Sequence, residues 1–162
     1  METGRRDTVG GMMHFAAAPL RPHEIARAFP LVQLLMPSID LRRWKRFACR
    51  FLRSASGRRG ILSVRDHRGH IRGLAIFRRQ FDISGPVLLA DPVLFVDLLD
   101  SSEVGLALIE ALEAKAREVG CDEVWVSIPG HSATEWPGPP GAAHIELRRR
   151  FVTPLPTGNA AA

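Results

Sequence analysis

Tyrosine is absent from this chain, and lysine nearly so, Lys45 and Lys115 being the only two. No phenol is available to donate a proton, and the net charge of +5 rests on arginine. The two cysteines, Cys49 and Cys121, lie far apart, each inside an expected regular element. They make neither a disulfide framework nor a metal-ligand pair, and read as buried free thiols of a cytoplasmic protein. No apolar run approaches the roughly 20 residues that a membrane span needs. The polar stretch Met1 to Gly11 lacks the apolar segment of a signal peptide, which fits a cytoplasmic location. No internal repeat is present. What remains is a 162-residue chain with 46% hydrophobic and 24% charged residues. That composition supports one domain with one core, expected over residues 13–152, with disordered ends at 1–12 and 153–162.

Spacing of the apolar residues marks the elements. Residues 13–20 read as a short strand. Arg21-Pro22 opens a helix that carries Ile25, Phe29, Val32 and Leu35 at helical intervals. Pro30 falls inside that pattern and is expected to kink or split the helix, and Pro37 to end it. Asp40 is the expected N-cap of a second helix, Leu41 to Arg53. Leu41, Trp44, Phe47, Ala48, Phe51 and Leu52 form its apolar stripe, with Arg42, Arg43, Lys45, Arg46, Arg50 and Arg53 on the other side. After a loop at 54–60, Ile61–Arg65 and His70–Arg79 read as the arms of a hairpin, with Gly69 where a positive φ is needed. A third strand region, Val87 to Leu99, contains Asp91-Pro92, which predicts a bulge or an edge instead of an unbroken ladder.

The run from Leu94 to Ile128 says most about function. It reads as strand, polar turn, amphipathic helix from Ser102 to Val119, a stop at Gly120, and a buried strand from Val124 to Ile128. Leu108, Ile109, Leu112 and Ala116 form the helix's buried face, and Glu113 and Arg117 an i, i+4 pair on the other. A helix N-terminus at the end of a strand is a ready anion site, because unpaired N–H groups and the positive dipole end point the same way. Gly105 and Ala107 are small enough to let a ligand approach the backbone. A Pro/Gly-rich loop at 129–143 and a last strand, Ile145 to Val152, follow.

Ser102-Glu103-Val104-Gly105-Leu106-Ala107 resembles the coenzyme signature of the GNAT N-acetyltransferases, Gln/Arg-x-x-Gly-x-Gly/Ala, with Ser102 in place of the leading residue. Ile71-Arg72-Gly73-Leu74-Ala75 is similar to that family's third strand, and the order of elements over residues 13–152 also matches. The resemblance implies an α/β fold of the α+β type, a GNAT-like mixed, mainly antiparallel sheet flanked by helices. In it, residues 93–98 and 123–128 would be neighbouring, parallel, splayed strands. It implies acetyl-coenzyme A as cosubstrate, its pyrophosphate held by amides of Glu103, Val104, Gly105, Leu106, Ala107 and Leu108. Backbone N–H groups of Val96, Asp97 and Leu98 would orient the thioester. A basic chain suits such a ligand, which carries several phosphates.

The family's Asn-x-x-Ala-x-x-Phe-Tyr has its counterpart in Gly130-His131-Ser132-Ala133-Thr134-Glu135-Trp136-Pro137, which lacks both the Asn and the Tyr that often protonates the departing thiolate. The candidate catalytic residues are therefore Asp91 or Asp97 as the base that removes the amine proton, and His131 as acid or base by its near-neutral pKa. Each also reads as a solvated residue. Trp44, Phe47 and Phe51 either line an acceptor pocket or belong to the core. The expected function is acetyl-coenzyme A-dependent N-acetylation of an amine. Its alternatives are a relative that binds an acyl-coenzyme A, or nothing, as a regulatory module, and, least expected, an arginine-faced nucleic-acid binder, which neither interleaved aromatics nor a recognised motif supports. The expected partners are a small-molecule or peptide amine and a second copy of the chain, with no membrane and no metal.

Overall fold

A computed structural model describes residues 15–54, 56–95, 101–129 and 144–150. Six strands form one sheet: β1 (Ala16–Pro19), β2 (Arg59–Arg65), β3 (Ile71–Asp82), β4 (Gly85–Phe95), β5 (Glu123–Pro129) and β6 (His144–Arg150), side by side in chain order. Every junction is antiparallel except β4/β5, which is parallel. A parallel pair needs a crossover, and α3 (Ser101–Glu118) supplies it. α1 (Ile25–Leu35) and α2 (Leu41–Leu52) cover the opposite face. The expected mixed, mainly antiparallel sheet is the one observed. Among the described residues no helix is long and apolar enough to cross a membrane. The segments expected to be disordered, 1–12 and 153–162, lie outside the described residues.

The strands alternate between the two faces, as a pleat requires. Ile61, Leu74 and Ile76 join Ile25, Val32 and Trp44 under α1 and α2. Leu62, Val64, Ala75 and Phe77 join Leu108, Leu112 and Ala116 under α3. Turn chemistry fixes the connections: Gly69 has φ 77° in the β2–β3 turn and Gly120 has φ 69° just past α3. Asp40 caps α2, its Oδ1 accepting the Arg43 amide at 2.7 Å. Pro30 does not split its helix. The chain makes a short 3-10 turn at Pro22–Glu24 and then one continuous α1 with Pro30 inside. Packing of Ile25, Ala28, Leu31 and Val32 into the core outweighs the one hydrogen bond a proline removes.

The six-residue stripe of α2 is only partly core. Trp44 and Ala48 are buried, whereas Leu41 and Phe47 are each 38% exposed. Trp44 anchors the helix, donating from Nε1 to the Ile25 carbonyl at 2.7 Å. Cys49 is exposed, against expectation, because it follows Ala48 by one residue and so points away from the core. Cys121 is buried as expected, and burial pushes its thiol pKa up against the pull of Arg79.

Asp66 organises the hairpin. It is 8% exposed, and Oδ1 accepts the amides of Arg68 and His70, each at 2.9 Å, while Oδ2 accepts from Arg72. Burial raises the carboxyl pKa, but the His70 amide, the Arg72 guanidinium and the Arg68 amide outweigh it and hold the group far below its ordinary 3.8. A carboxyl depressed on folding contributes stability that is fully present above its unfolded pKa and is lost as pH falls toward the folded one. Asp66→Asn is expected to lower stability at pH 7 by about 1–3 kcal/mol. The gap from wild type should narrow in urea titrations as pH falls below about 4. A gap that is constant or widens with acid would contradict this role.

Candidate active site

The functional site is built around a defect in β4. Ala75 pairs with Val93 and Phe77 with Ala90, so Asp91 and Pro92 together face the single residue Ile76. This is a bulge at the dipeptide where one was expected, with the Asp91–Pro92 bond cis. Its effect on the pleat is direct. Ala90 and Val93 both pack under α3 although they are three residues apart, so one extra residue has reversed the facing of the strand.

The bulge also separates β4 from β5. Their parallel pairing runs from Val87 opposite Glu123 to Ala90 opposite Val126 and stops there. Beyond it, among the described residues, β4 continues to Phe95 paired only with β3, and β5 continues to Pro129 paired only with β6. The strands were expected to splay over 93–98 against 123–128. They are parallel neighbours, but contact covers 87–90, and the strand past the bulge forms one wall of an open wedge. Among the described residues, the peptide groups of 91–95 that face the wedge have no ladder partner there, and such groups need a polar partner.

α3 starts beside the wide end of the wedge. A Cβ added at Gly105 would lie 3.8 Å from the Phe95 ring and meet nothing closer. The helix can lie this low because of Gly73 on β3, where a Cβ would come within 2.9 Å of both Val104 Cγ1 and Leu108 Cδ1. Any side chain at 73 pushes the helix outward. The small residue of Ile71-Arg72-Gly73-Leu74-Ala75 thus sets how close α3 comes to the sheet.

A helix that begins at Ser101 leaves open only part of the expected phosphate cradle. In an α-helix only the first-turn N–H groups lack an intrahelical acceptor, here those of Ser101, Ser102 and Glu103. The amides of Gly105, Leu106, Ala107 and Leu108 fall on the carbonyls of residues 101–104, four positions earlier. Of the residues expected to present amides, Glu103 is in the open turn, Val104 borders it, and Gly105 through Leu108 are inside the helix. Val104 and Leu108 are core side chains, whereas Glu103 and Leu106 are exposed. Gly105 matters in another way. Helical side chains lean toward the N-terminus and cover the preceding turn, so a bare position at 105 leaves the open amides accessible.

Asp91 is exposed at the bulge, the point where the wedge opens. Val96, Asp97, Leu98 and His131 lie outside the described residues. Among the described residues no cluster of His, Cys, Asp and Glu has the makings of a metal site. A pocket of about 270 Å³ at the β1–β2 side, lined by Leu20, Phe51, Ile61 and Lys115 among others, shares no residue with the wedge.

The fold has parallels among solved structures. An aminoglycoside N-acetyltransferase, AAC(6')-Iy in complex with CoA, superposes with a TM-score of 0.63 at 16% identity, over 72% of this chain and 78% of that one. Glucosamine-6-phosphate N-acetyltransferase from Arabidopsis thaliana gives 0.58 at 17% identity, over 70% and 81%. Ribosomal-protein-alanine N-acetyltransferase from Brucella melitensis biovar Abortus 2308 gives 0.59 at 18% identity, over 75% and 85%. No protein-family model and no curated protein matches the sequence. The likeness therefore lies in the arrangement of the backbone and not in the sequence.

Proposed function

Because the chain has the fold of the GNAT N-acetyltransferases, we propose that it transfers an acetyl group from acetyl-coenzyme A to an amine, with the β4/β5 wedge as the reaction site. The observation that carries this reading is the coincidence of three features at one place. The sheet opens at the Asp91-Pro92 bulge, unpaired peptide groups line the opening, and the first turn of α3 starts beside it. Acetyl-coenzyme A carries a pyrophosphate and an amide-bearing arm. The open amides of Ser101–Glu103 suit the first, and the free edge of β4 over 91–95 suits the second. The structures that resemble this chain include one in complex with CoA and one with a CoA-containing bisubstrate analogue. The residues present thus fit the cosubstrate.

Transfer requires the amine nitrogen to attack the thioester carbonyl, the C–S bond to break, and one proton to leave the nitrogen. Asp91 is the described carboxylate at the bulge and takes that proton; Asp97 is the rival for the role. With no tyrosine in the chain, the thiolate is protonated by water or by His131. Thiols are acidic enough, with a pKa of about 8.5, for this second transfer to be the less demanding.

The experiment is thiol release from acetyl-coenzyme A with a panel of small amines and N-terminal peptides. Asp91→Asn is expected to reduce turnover about a hundredfold to ten-thousandfold, Asp97→Asn to change it little, and His131→Ala to have the smaller effect of the two active groups. Wild-type turnover in all three variants would refute the residue assignment. Coenzyme binding without thiol release for any amine would favour the regulatory alternative.

A further inference from the structure

α2 packs on the face of the sheet opposite α3, the helix whose first turn borders the wedge. Between Asp40 and Asp66 the chain has no carboxylate. Over that stretch α2 exposes Arg42, Arg43, Lys45, Arg46 and Arg50, and Arg53 follows at its C-cap. None of the six has an ion-pair partner among the described residues. They are also placed against the helix's own interest. Arg42 and Arg43 sit in the first turn, where the dipole disfavours cations, and Arg42/Arg46 and Arg46/Arg50 are like-charge pairs at i, i+4. A face that repels itself in this way gains most from a ligand with closely spaced negative charges.

One aromatic ring belongs to the same surface. Phe47, which its spacing assigned to the apolar stripe, is 38% exposed. It lies one turn from Arg43 on one side and from Arg50 on the other, on one flank of the helix. Its ring packs against Phe51 with centroids 4.6 Å apart, and the Arg59 guanidinium stands 5.9 Å over Phe51. The basic strip therefore continues past the helix end, with an aromatic floor beneath it.

We propose that this face of α2 binds single-stranded nucleic acid, with the arginines on successive phosphates and Phe47 stacked on a base. An acidic protein would satisfy the charges but would leave the exposed ring without a purpose. Five of the six cations are arginine, whose planar fork matches phosphate oxygens and whose face tolerates stacking. A ring beside a row of cations is the arrangement that grips unstacked bases, and a duplex offers no free base face to it. Phosphate contacts by five arginines predict a salt slope of about −3.5, at roughly 0.7 per phosphate for a single strand.

Fluorescence anisotropy with labelled oligo-U and oligo-dT, between 50 and 200 mM salt, tests this. Affinity should fall about a hundredfold over that range, following that slope. Arg43→Ala/Arg46→Ala/Arg50→Ala should reduce the slope by about 2. Phe47→Ala should weaken binding about tenfold at unchanged slope, since stacking carries no counterion release. Both variants change exposed positions; without ligand the triple variant should melt at or above the wild-type temperature, and Phe47→Ala only slightly below it. Failure of either oligonucleotide to bind at 50 mM salt would overturn the proposal. So would a slope that the triple variant leaves unchanged, or displacement of the oligonucleotide by polyglutamate at equal charge concentration, which would point to an acidic protein instead.

Discussion

Gly105→Glu is expected to abolish the stabilisation that acetyl-coenzyme A gives the protein, while leaving the unliganded melting temperature close to wild type. A ligand that binds only the folded state stabilises it by RT ln(1 + [L]/Kd), about 2.7 kcal/mol at one hundred times Kd. For a chain of this size that corresponds to a shift of roughly 5–10 °C. Position 105 is helical and open, with Phe95 3.8 Å from a built Cβ, so a longer side chain can be housed without repacking. Leaning toward the N-terminus, it covers the amides of Ser101–Glu103 and sets a carboxylate where the pyrophosphate is to lie. Two like charges 4 Å apart repel by about 4 kcal/mol at an effective dielectric of about 20, close to a thousandfold in affinity. Gly105→Gln separates charge from bulk and should retain part of the shift. Thermal melts across a coenzyme titration measure all three proteins. An undiminished shift in Gly105→Glu would place the phosphates elsewhere.

Trp44→Ala should cost about 3–5 kcal/mol, the range for emptying a large aromatic site in a core. Trp44 is 2% exposed, and its Nε1 holds the carbonyl of Ile25, the first residue of α1. The substitution leaves a cavity and removes the tertiary hydrogen bond to Ile25, whose carbonyl keeps only its helical bond from the Phe29 amide, and it loosens the two helices from each other. Total stabilities of about 5–15 kcal/mol make this a large fraction. Phe47→Ala, three residues on, should cost much less, because that ring is 38% exposed. Urea titrations with a common slope compare the two. Equal losses would mean that the whole apolar stripe of α2 is core after all.

That stripe marks the limit of what the sequence reveals. Punctuation by single residues is legible because its chemistry is local: the Asp40 cap, Gly69 and Gly120 at positive φ, and the Asp91-Pro92 bulge each follow from one or two residues. The parallel β4/β5 neighbours joined by α3 are legible too, since a strand–helix–strand run requires a crossover. Depth of burial is not. Helical spacing places Leu41, Phe47 and Cys49 on a wheel, but which of them meets the sheet depends on where α1 lies, and that is set by long-range contacts such as Trp44 to Ile25. Pro30 does not split its helix for the same reason, its local cost being outweighed by the packing of α1.

Within the site, the legible part was the kind of residue and the hidden part was its job. Gly105 is legible as a small residue near a helix start, and Gly73 only as part of a strand pattern. Their roles became clear only from the helix start at Ser101 and the 2.9 Å approaches of Val104 and Leu108 to Gly73. A one-residue change in where a helix begins decides which amides are open, and spacing alone does not fix that boundary. Where the wedge opens depends on the register of β4 against both neighbours, a relation between segments distant in sequence.

Amide hydrogen exchange of the wild-type protein, with and without saturating acetyl-coenzyme A, tests the wedge most directly. Coenzyme bound in it is expected to slow exchange at residues 91–95, along the free edge of β4, and at Ser101, Ser102 and Glu103, which have no intrahelical acceptor. The outer face of α2 should be unaffected. Added protection at those two segments would support the wedge as the acetyl-coenzyme A site, whereas no protection anywhere, or protection confined to α2 or to the β2–β3 hairpin, would contradict it.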